Sequence, residues 1–245
     1  MKLKILGSGS SGNCYILENE NEALVIECGV KFSEVKKALN FRLNKIVAAL
    51  VSHSHNDHAG YIRDFVKTGI TVLAHAEVFN AKGIEAASFK KELETEKVYT
   101  AGGFKIVPFE LFHDVRCFGY IINHSETGNV LFATDTNEIP YDFVGINNFL
   151  IEANYSEEIT YQNILENKLN AAHQERVEQS HMSVENTLKF LSETDLSQTN
   201  NIVLIHLSDD SSNALEFKER VELATAKSVF VAKKNKELKF NKTPF

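Results

Sequence analysis

Apolar residues fall along this chain in short β-type runs separated by polar stretches with a helical period. The runs predict strands over 3–6, 15–18, 24–27, 46–52, 71–74, 104–109, 120–123 and 129–133. Between them, 33–39 has apolar spacing near 3.6 and opens on Ser33, a residue of N-cap type; the segments after His58 and near Ala76 repeat the pattern. In the second half a strand at 149–152 leads into a long polar stretch, 156–178, of helical composition. Ser183 then opens a helix through 191, a strand follows over 202–205, and a helix covers 214–224. Two β-rich halves, each backed by helices, predict an α+β fold: a four-layer αββα sandwich, sheets inside and helices outside.

With 245 residues, three prolines, no internal repeat and no linker-like tract, the chain is expected to form one domain over 1–245. No stretch approaches the roughly 20 apolar residues of a membrane span. The opening apolar run stops at Gly7-Ser8-Gly9, too soon for a signal peptide, so a cytoplasmic location is expected. Cys14, Cys28 and Cys117 are odd in number and scattered, which excludes a zinc knuckle or C-x-x-C redox pair and predicts buried thiols. The net charge of −7 speaks against a general nucleic-acid coat. It does not exclude a nucleic-acid enzyme, because bound dications can supply positive charge where phosphate sits. The basic run Lys233-Lys234-Asn235-Lys236 reads as a solvated turn before a last strand rather than a phosphate contact.

Three of the nine histidines sit in one window, His53-Ser54-His55-Asn56-Asp57-His58, directly after an apolar run. Imidazole and carboxylate ligands suit zinc and its neighbours, and a strand end followed by a tight turn can aim alternate side chains at one point. His113, Asp135 and His206 each follow a further strand-like run. Strand ends are where loops gather in layered folds, so these residues can converge on the same place.

The H-S-H-N-D-H-A-G string, then a strand-end His, the strand-end Asp of Ala133-Thr134-Asp135-Thr136 and a late strand-end His, together resemble the metallo-β-lactamase superfamily over nearly the full chain. The resemblance implies two metal ions, Zn2+ with Mn2+ as the alternative. His53, His55 and His113 would hold the first, Asp57, His58 and His206 the second, and Asp135 would bridge them. A hydroxide between the ions would be the nucleophile. Asp at the bridging position, where true β-lactamases carry Cys, together with His181 in Ser180-His181-Met182-Ser183, resembles the phosphodiesterase branch that includes ribonuclease Z. There His181 would act as general acid, with Asp57 the other catalytic side chain. Gly7-Ser8-Gly9-Ser10-Ser11-Gly12-Asn13, His113-Asp114-Val115 and Glu152-Ala153-Asn154-Tyr155 are similar to the YycJ/WalJ group of nucleases. One departure is Glu27, where the family usually has Asp, which implies a lengthened contact behind a ligand.

The implied substrate is a nucleic-acid or nucleotide phosphodiester. A cyclic nucleotide, as in similar phage enzymes that act against immune signalling, is the alternative, and the acidity of the chain and the lack of a tRNA-gripping arm lean toward a small substrate. Lactonase or thioesterase chemistry is the reading from another class, and a non-catalytic scaffold on a degraded site is a third. Similar enzymes are often homodimers. The glycine loop lacks the Lys-Ser/Thr ending of a Walker motif and is expected to border the site. Asp114, beside His113, is expected to orient a ligand histidine through its other ring nitrogen. Asn154 and Tyr155 either line the cleft or finish a strand. His75 reads as structural, and His124 and His173 as solvated surface residues.

Overall fold

The computed structural model describes residues 1–85 and 88–244, without the side chains of 171–173. The first half contributes β1 (Lys2–Gly7), β2 (Cys14–Glu18), β3 (Ala23–Ile26), α1 (Phe32–Ala38), β4 (Ile46–Leu50), α2 (Asn56–Ala59), α3 (Ile62–Lys67), β5 (Val72–Ala74), α4 (Ala76–Ala81) and β6 (Lys90–Glu92). There follow β7 (Tyr99–Ala101), β8 (Phe104–Leu111), β9 (Cys117–His124), β10 (Gly128–Ala133), β11 (Ile146–Glu152), α5 (Glu157–Leu165), α6 (Ala171–Ser180), α7 (Val184–Glu193), β12 (Asn201–Ile205), α8 (Ala214–Thr225), β13 (Ser228–Val231) and β14 (Lys236–Lys239).

The strands form two seven-stranded sheets, in the orders β14-β1-β2-β3-β4-β5-β6 and β13-β12-β11-β10-β9-β8-β7. Each is mixed: β3 to β6 run parallel in one, β10 to β13 in the other, and the remaining pairs are antiparallel. Strand alternation divides the apolar side chains among three cores. Leu3, Ile5, Leu24, Ile26 and Leu50 meet Phe118, Tyr120, Phe132, Leu150 and Val203 between the sheets. Ile16, Val25, Ala49 and Val72 face Val35, Phe65 and Phe79 of the first helical layer. Leu131, Phe149, Ile151 and Leu204 face Val184, Leu191, Phe217 and Val221 of the second. Three cores require four layers, so the expected αββα sandwich is what the chain builds.

Several details differ from the sequence pattern. Helix α1 starts before Ser33 and no side chain caps it, because Phe32 packs its ring 4.7 Å from Phe65 and is drawn into the helix. The polar stretch after Ser156 divides into α5 and α6, with Asn167 in the left-handed region (φ 55°) between them. Strands β6, β7 and β13 are short and lie at or beside sheet edges, where one apolar face is not demanded and the pattern is weak. His124 is buried rather than solvated: Nε2 lies 3.1 Å from Glu22 Oε1, and Nδ1 accepts from the Glu126 N–H. The expectation for His173 falls on a side chain outside the described residues. All three cysteines are free and buried.

The parallel strands end together at one lip of the sandwich. Glu27, Asp135 and His206, each beyond a strand, have φ of 68°, 51° and 55°. A non-glycine residue held there costs on the order of 1 kcal/mol, and the resulting sharp turn keeps its side chain over the lip instead of continuing the pleat. The second sheet holds the exit of β4 in place, since the Tyr120 hydroxyl donates to Val51 O at 2.6 Å and the Phe118 N–H donates to Ser52 O at 3.0 Å. Gly29 permits the closest backbone approach, because a Cβ there would sit 1.6 Å from Asp57 O. Gly29→Ala is therefore expected to push α2 away and cost roughly 1–3 kcal/mol, read as a lower melting temperature together with reduced metal uptake.

Candidate metal centre

Asp135 lies at the middle of the lip, 2% exposed, with its two carboxylate oxygens facing different histidines. Oδ2 is 3.7 Å from His53 Nε2 and 3.8 Å from His113 Nε2. Oδ1 is 3.3 Å from His58 Nε2 and 3.6 Å from His206 Nδ1, and accepts from the Thr134 hydroxyl at 2.6 Å. On the first side His55 Nδ1 lies 3.2 Å from His113 Nε2. On the second, Asp57 Oδ2 is 3.2 Å from His58 Nε2 and 3.3 Å from His206 Nε2. The sequence-predicted residues thus come together as two adjacent sets, His53, His55 and His113 with Asp135, and Asp57, His58 and His206 with the same Asp135.

The donor set fits divalent metal. His53 Nε2 is buried and turned toward the Asp135 carboxylate with no hydrogen-bond partner, an arrangement that costs free energy unless an electrophile completes it. Its other nitrogen is held by Ser52 Oγ at 2.9 Å. Burial holds His53 and His113 below the usual imidazole range, the neutral form a ligand needs. Burial alone would also lower His58 and His206, but the Asp135 carboxylate and its acidic neighbours outweigh it: His58 is raised, and His206 is pushed up to about 10. Burial alone would raise Asp57 and Asp135, and the surrounding histidines instead hold both well below the usual carboxylate range.

Residues outside the expected set complete the centre. Glu152, fully buried at the end of β11, accepts from the backbone N–H groups of Thr136 and Met182, and its Oε1 lies 3.0 Å from His206 Nδ1 and 2.7 Å from His181 Nδ1. One carboxylate therefore orients two imidazoles. Its trace in the sequence was the Glu152-Ala153-Asn154-Tyr155 string, which gave Glu152 no role. Asn13 closes the glycine loop against the centre, with Nδ2 3.0 Å from His58 Nε2 and 3.3 Å from Asp57 Oδ2, and Ser8 Oγ accepts from the His206 N–H. The loop thus borders the site as expected, through its polar residues. Asp114 stands where it can orient a ligand histidine: its Oδ1 lies 3.1 Å from His113 Nε2, the nitrogen turned to Asp135, and 3.3 Å from His55 Nε2. It is therefore placed to orient His55 rather than His113. Asn154 is buried and donates to His206 O, while Tyr155 pairs with Ser183, so both hold the frame. His75 is structural, its Nδ1 accepting from the Glu77 N–H at the start of α4.

Residues 7–144 match the metallo-beta-lactamase superfamily. This chain belongs to that superfamily. Membership makes it one of the metallohydrolase enzymes, and the shared Asp135 is an Asp where true β-lactamases have Cys. The exodeoxyribonuclease WalJ of Streptococcus pneumoniae is 26% identical over 227 residues, covering 86% of this chain and 83% of that protein. Among solved structures, the metallo-beta-lactamase fold protein YhfI of Bacillus subtilis aligns with a TM-score of 0.73 at 16% identity, over 97% of this chain and 98% of that one. Human tRNase Z, short form, aligns at 0.68 and 15% identity, over 98% of this chain and 99% of that one. The Glu27 departure has a visible effect: its Oε1 stops 3.5 Å from His58 Nδ1, which is left without a hydrogen bond, while the carboxylate accepts from the Ser52 N–H at 3.2 Å.

Raised pKa values at His58 and His206 mean that chelator-stripped protein carries imidazolium there at pH 7. Metal must displace those protons, so loading is expected to release protons and its apparent affinity to rise with pH. Titration calorimetry in buffers of different ionisation enthalpy measures the release. Glu152→Gln removes the charge behind His206 and is expected to weaken metal binding about 10–100-fold while the fold persists; unchanged affinity would show that Glu152 does not support the ligands.

Proposed function

We propose that this protein is a two-metal phosphodiesterase that removes nucleotides from DNA ends by hydrolysis. The observation that carries the reading is the division of the Asp135 carboxylate, one oxygen toward each histidine set, with His181 held beside both by Glu152. In this reading His53, His55 and His113 hold one ion, Asp57, His58 and His206 the other, and Asp135 is shared. Bound dications, zinc with manganese as the alternative, would supply positive charge to a phosphoryl group and acidity to water.

His181 has the attributes of a proton donor. Its Nδ1 is committed to Glu152 at 2.7 Å, and its ring lies 5.3 Å from His206 and 5.8 Å from His113, centroid to centroid. Burial would lower its pKa, but the Glu152 carboxylate raises it above the ordinary imidazole value, which favours the protonated ring a proton donor needs. Hydrolysis forms one bond from a water oxygen to phosphorus and breaks the bond to the strand's departing oxygen. The proton on His181 Nε2 passes to that oxygen. Asp57 faces the same space with its Oδ2 between His58 and His206, and is the second side chain assigned to the chemistry.

DNA as substrate is supported by the WalJ relative, whose similarity spans most of this chain. The reading extends to a single domain over 1–245 acting in the cytoplasm as a homodimer. No helix among the described residues is long and apolar enough to cross a membrane.

Single-stranded DNA, RNA, precursor tRNA, cyclic mononucleotides, a lactone and a thioester, each offered to zinc- and manganese-loaded protein, test the assignment. Stepwise shortening of DNA is expected, and turnover of the lactone or thioester alone would overturn it. His58→Ala or Asp135→Ala should abolish turnover. His181→Ala should keep its metal and lose about 10²–10⁴-fold on DNA. With bis(p-nitrophenyl) phosphate, whose leaving group needs no proton, its loss should be much smaller. Equal losses on both substrates would rule out the proton-donor role.

A further inference from the structure

Several of this acidic chain's cations are matched by acids. Lys4, Arg42 and Lys45 converge on Glu18, Lys218 meets Glu222, Arg220 meets Glu185, and Arg116 meets Glu110. Lys82, which reaches the turn of the metal centre, and Arg63 beside it are among those that are not. Lys82, just past α4, sends its Nζ to Asn56 Oδ1 at 2.7 Å, and Asn56 stands between His55 and Asp57 in the turn that carries the ligands. Arg63, at the start of α3, lays Nη2 over Gly83, 2.8 Å from where a Cβ would stand. Gly83 follows Lys82 directly, so the guanidinium lies beside the segment that carries the ammonium. Among the described residues neither makes an ion pair.

The arrangement is built rather than incidental. Lys82 is half-buried, and Asn56 contributes only a neutral carbonyl to it. Burial lowers the Lys82 ammonium, and the charge that pulls it back up is Asp57, a residue of the metal centre. A partly desolvated cation that makes no ion pair can take an incoming anion as its partner. The anion that a nuclease brings to this edge is a backbone phosphate.

We propose that Lys82 and Arg63 bind a phosphate of the DNA strand adjacent to the scissile one, and so select polynucleotides over substrates with a single phosphodiester. The proposal rests on the nuclease reading above. Lys82 is a positioning residue: it holds the strand so that the next phosphodiester reaches Asp135 and His181, and takes no proton itself. A cyclic mononucleotide or bis(p-nitrophenyl) phosphate has no second phosphate to offer it.

The test compares wild type, Lys82→Ala, Lys82→Arg and Arg63→Ala, all metal-loaded, on a single-stranded DNA oligonucleotide and on bis(p-nitrophenyl) phosphate across a range of salt concentrations. For Lys82→Ala the ratio of kcat/KM on the oligonucleotide to that on the small ester is expected to fall about tenfold. The slope of log(kcat/KM) against log salt should become shallower by about 0.7, one phosphate contact on a single strand. Arg63→Ala should act in the same direction, and Lys82→Arg should restore most of both effects. A ratio and salt slope unchanged in Lys82→Ala, or a parallel loss on both substrates that Lys82→Arg does not rescue, overturns the proposal while leaving the nuclease reading intact. Failure of the wild type to cut DNA while it turns over the small ester sinks both.

Discussion

Buried carboxylates govern this molecule. Glu27, Asp135 and Glu152 are each essentially inaccessible, each ends or follows a strand, and each faces imidazole nitrogen. Burying a carboxylate costs several kcal/mol unless it is paired and hydrogen-bonded. The backbone N–H groups of Ser52, Thr136 and Met182, the Thr134 hydroxyl and the histidine rings offset that cost by surrounding them. Removing one carboxylate would leave the imidazoles that face it without their anionic partner.

The architecture supplies what such a cluster needs. A water-excluding floor comes from the core between the sheets, where Tyr15, Tyr120 and Phe132 pack beneath the lip. Parallel strands from both sheets end at the same level, and left-handed turns at Glu27, Asp135 and His206 aim polar side chains over that floor. The cost of three unfavourable backbone conformations is carried by packing elsewhere, which is how strained residues persist at functional sites. His181 reaches the same place by a different route. The short parallel bridge between Tyr155 and Ser183 brings the end of α6 alongside the end of β11, and Glu152 fixes the ring that arrives.

Much of the fold was legible in the chain. Strands whose faces both bury, such as β4 and β12, announce themselves as apolar runs, while edge strands such as β6, with sequence Lys-Lys-Glu, have no face that must be apolar and leave no pattern. Helix starts were legible where a side chain makes the cap, as Ser183 and Asn213 do, and not at Phe32, where packing sets the start. His124 read as a surface residue because its neighbours in sequence are turn residues. Its partner Glu22 is 102 positions away, and local sequence carries no signal for that.

The sequence by itself determined the ligand chemistry: three histidines and an aspartate in six positions, with a histidine, an aspartate and a histidine after later strands. Ligand type and spacing are local properties, fixed by which side chains alternate out of one turn. Only the tertiary structure decided how those residues divide into two sets around Asp135, that Glu152 stands behind both His206 and His181, and that Lys82 reaches the ligand turn through Asn56 without an ion pair. Those relations depend on which strand ends are neighbours and on which buried charges lack partners. Sheet order and burial set both, and neither exists until the chain is folded.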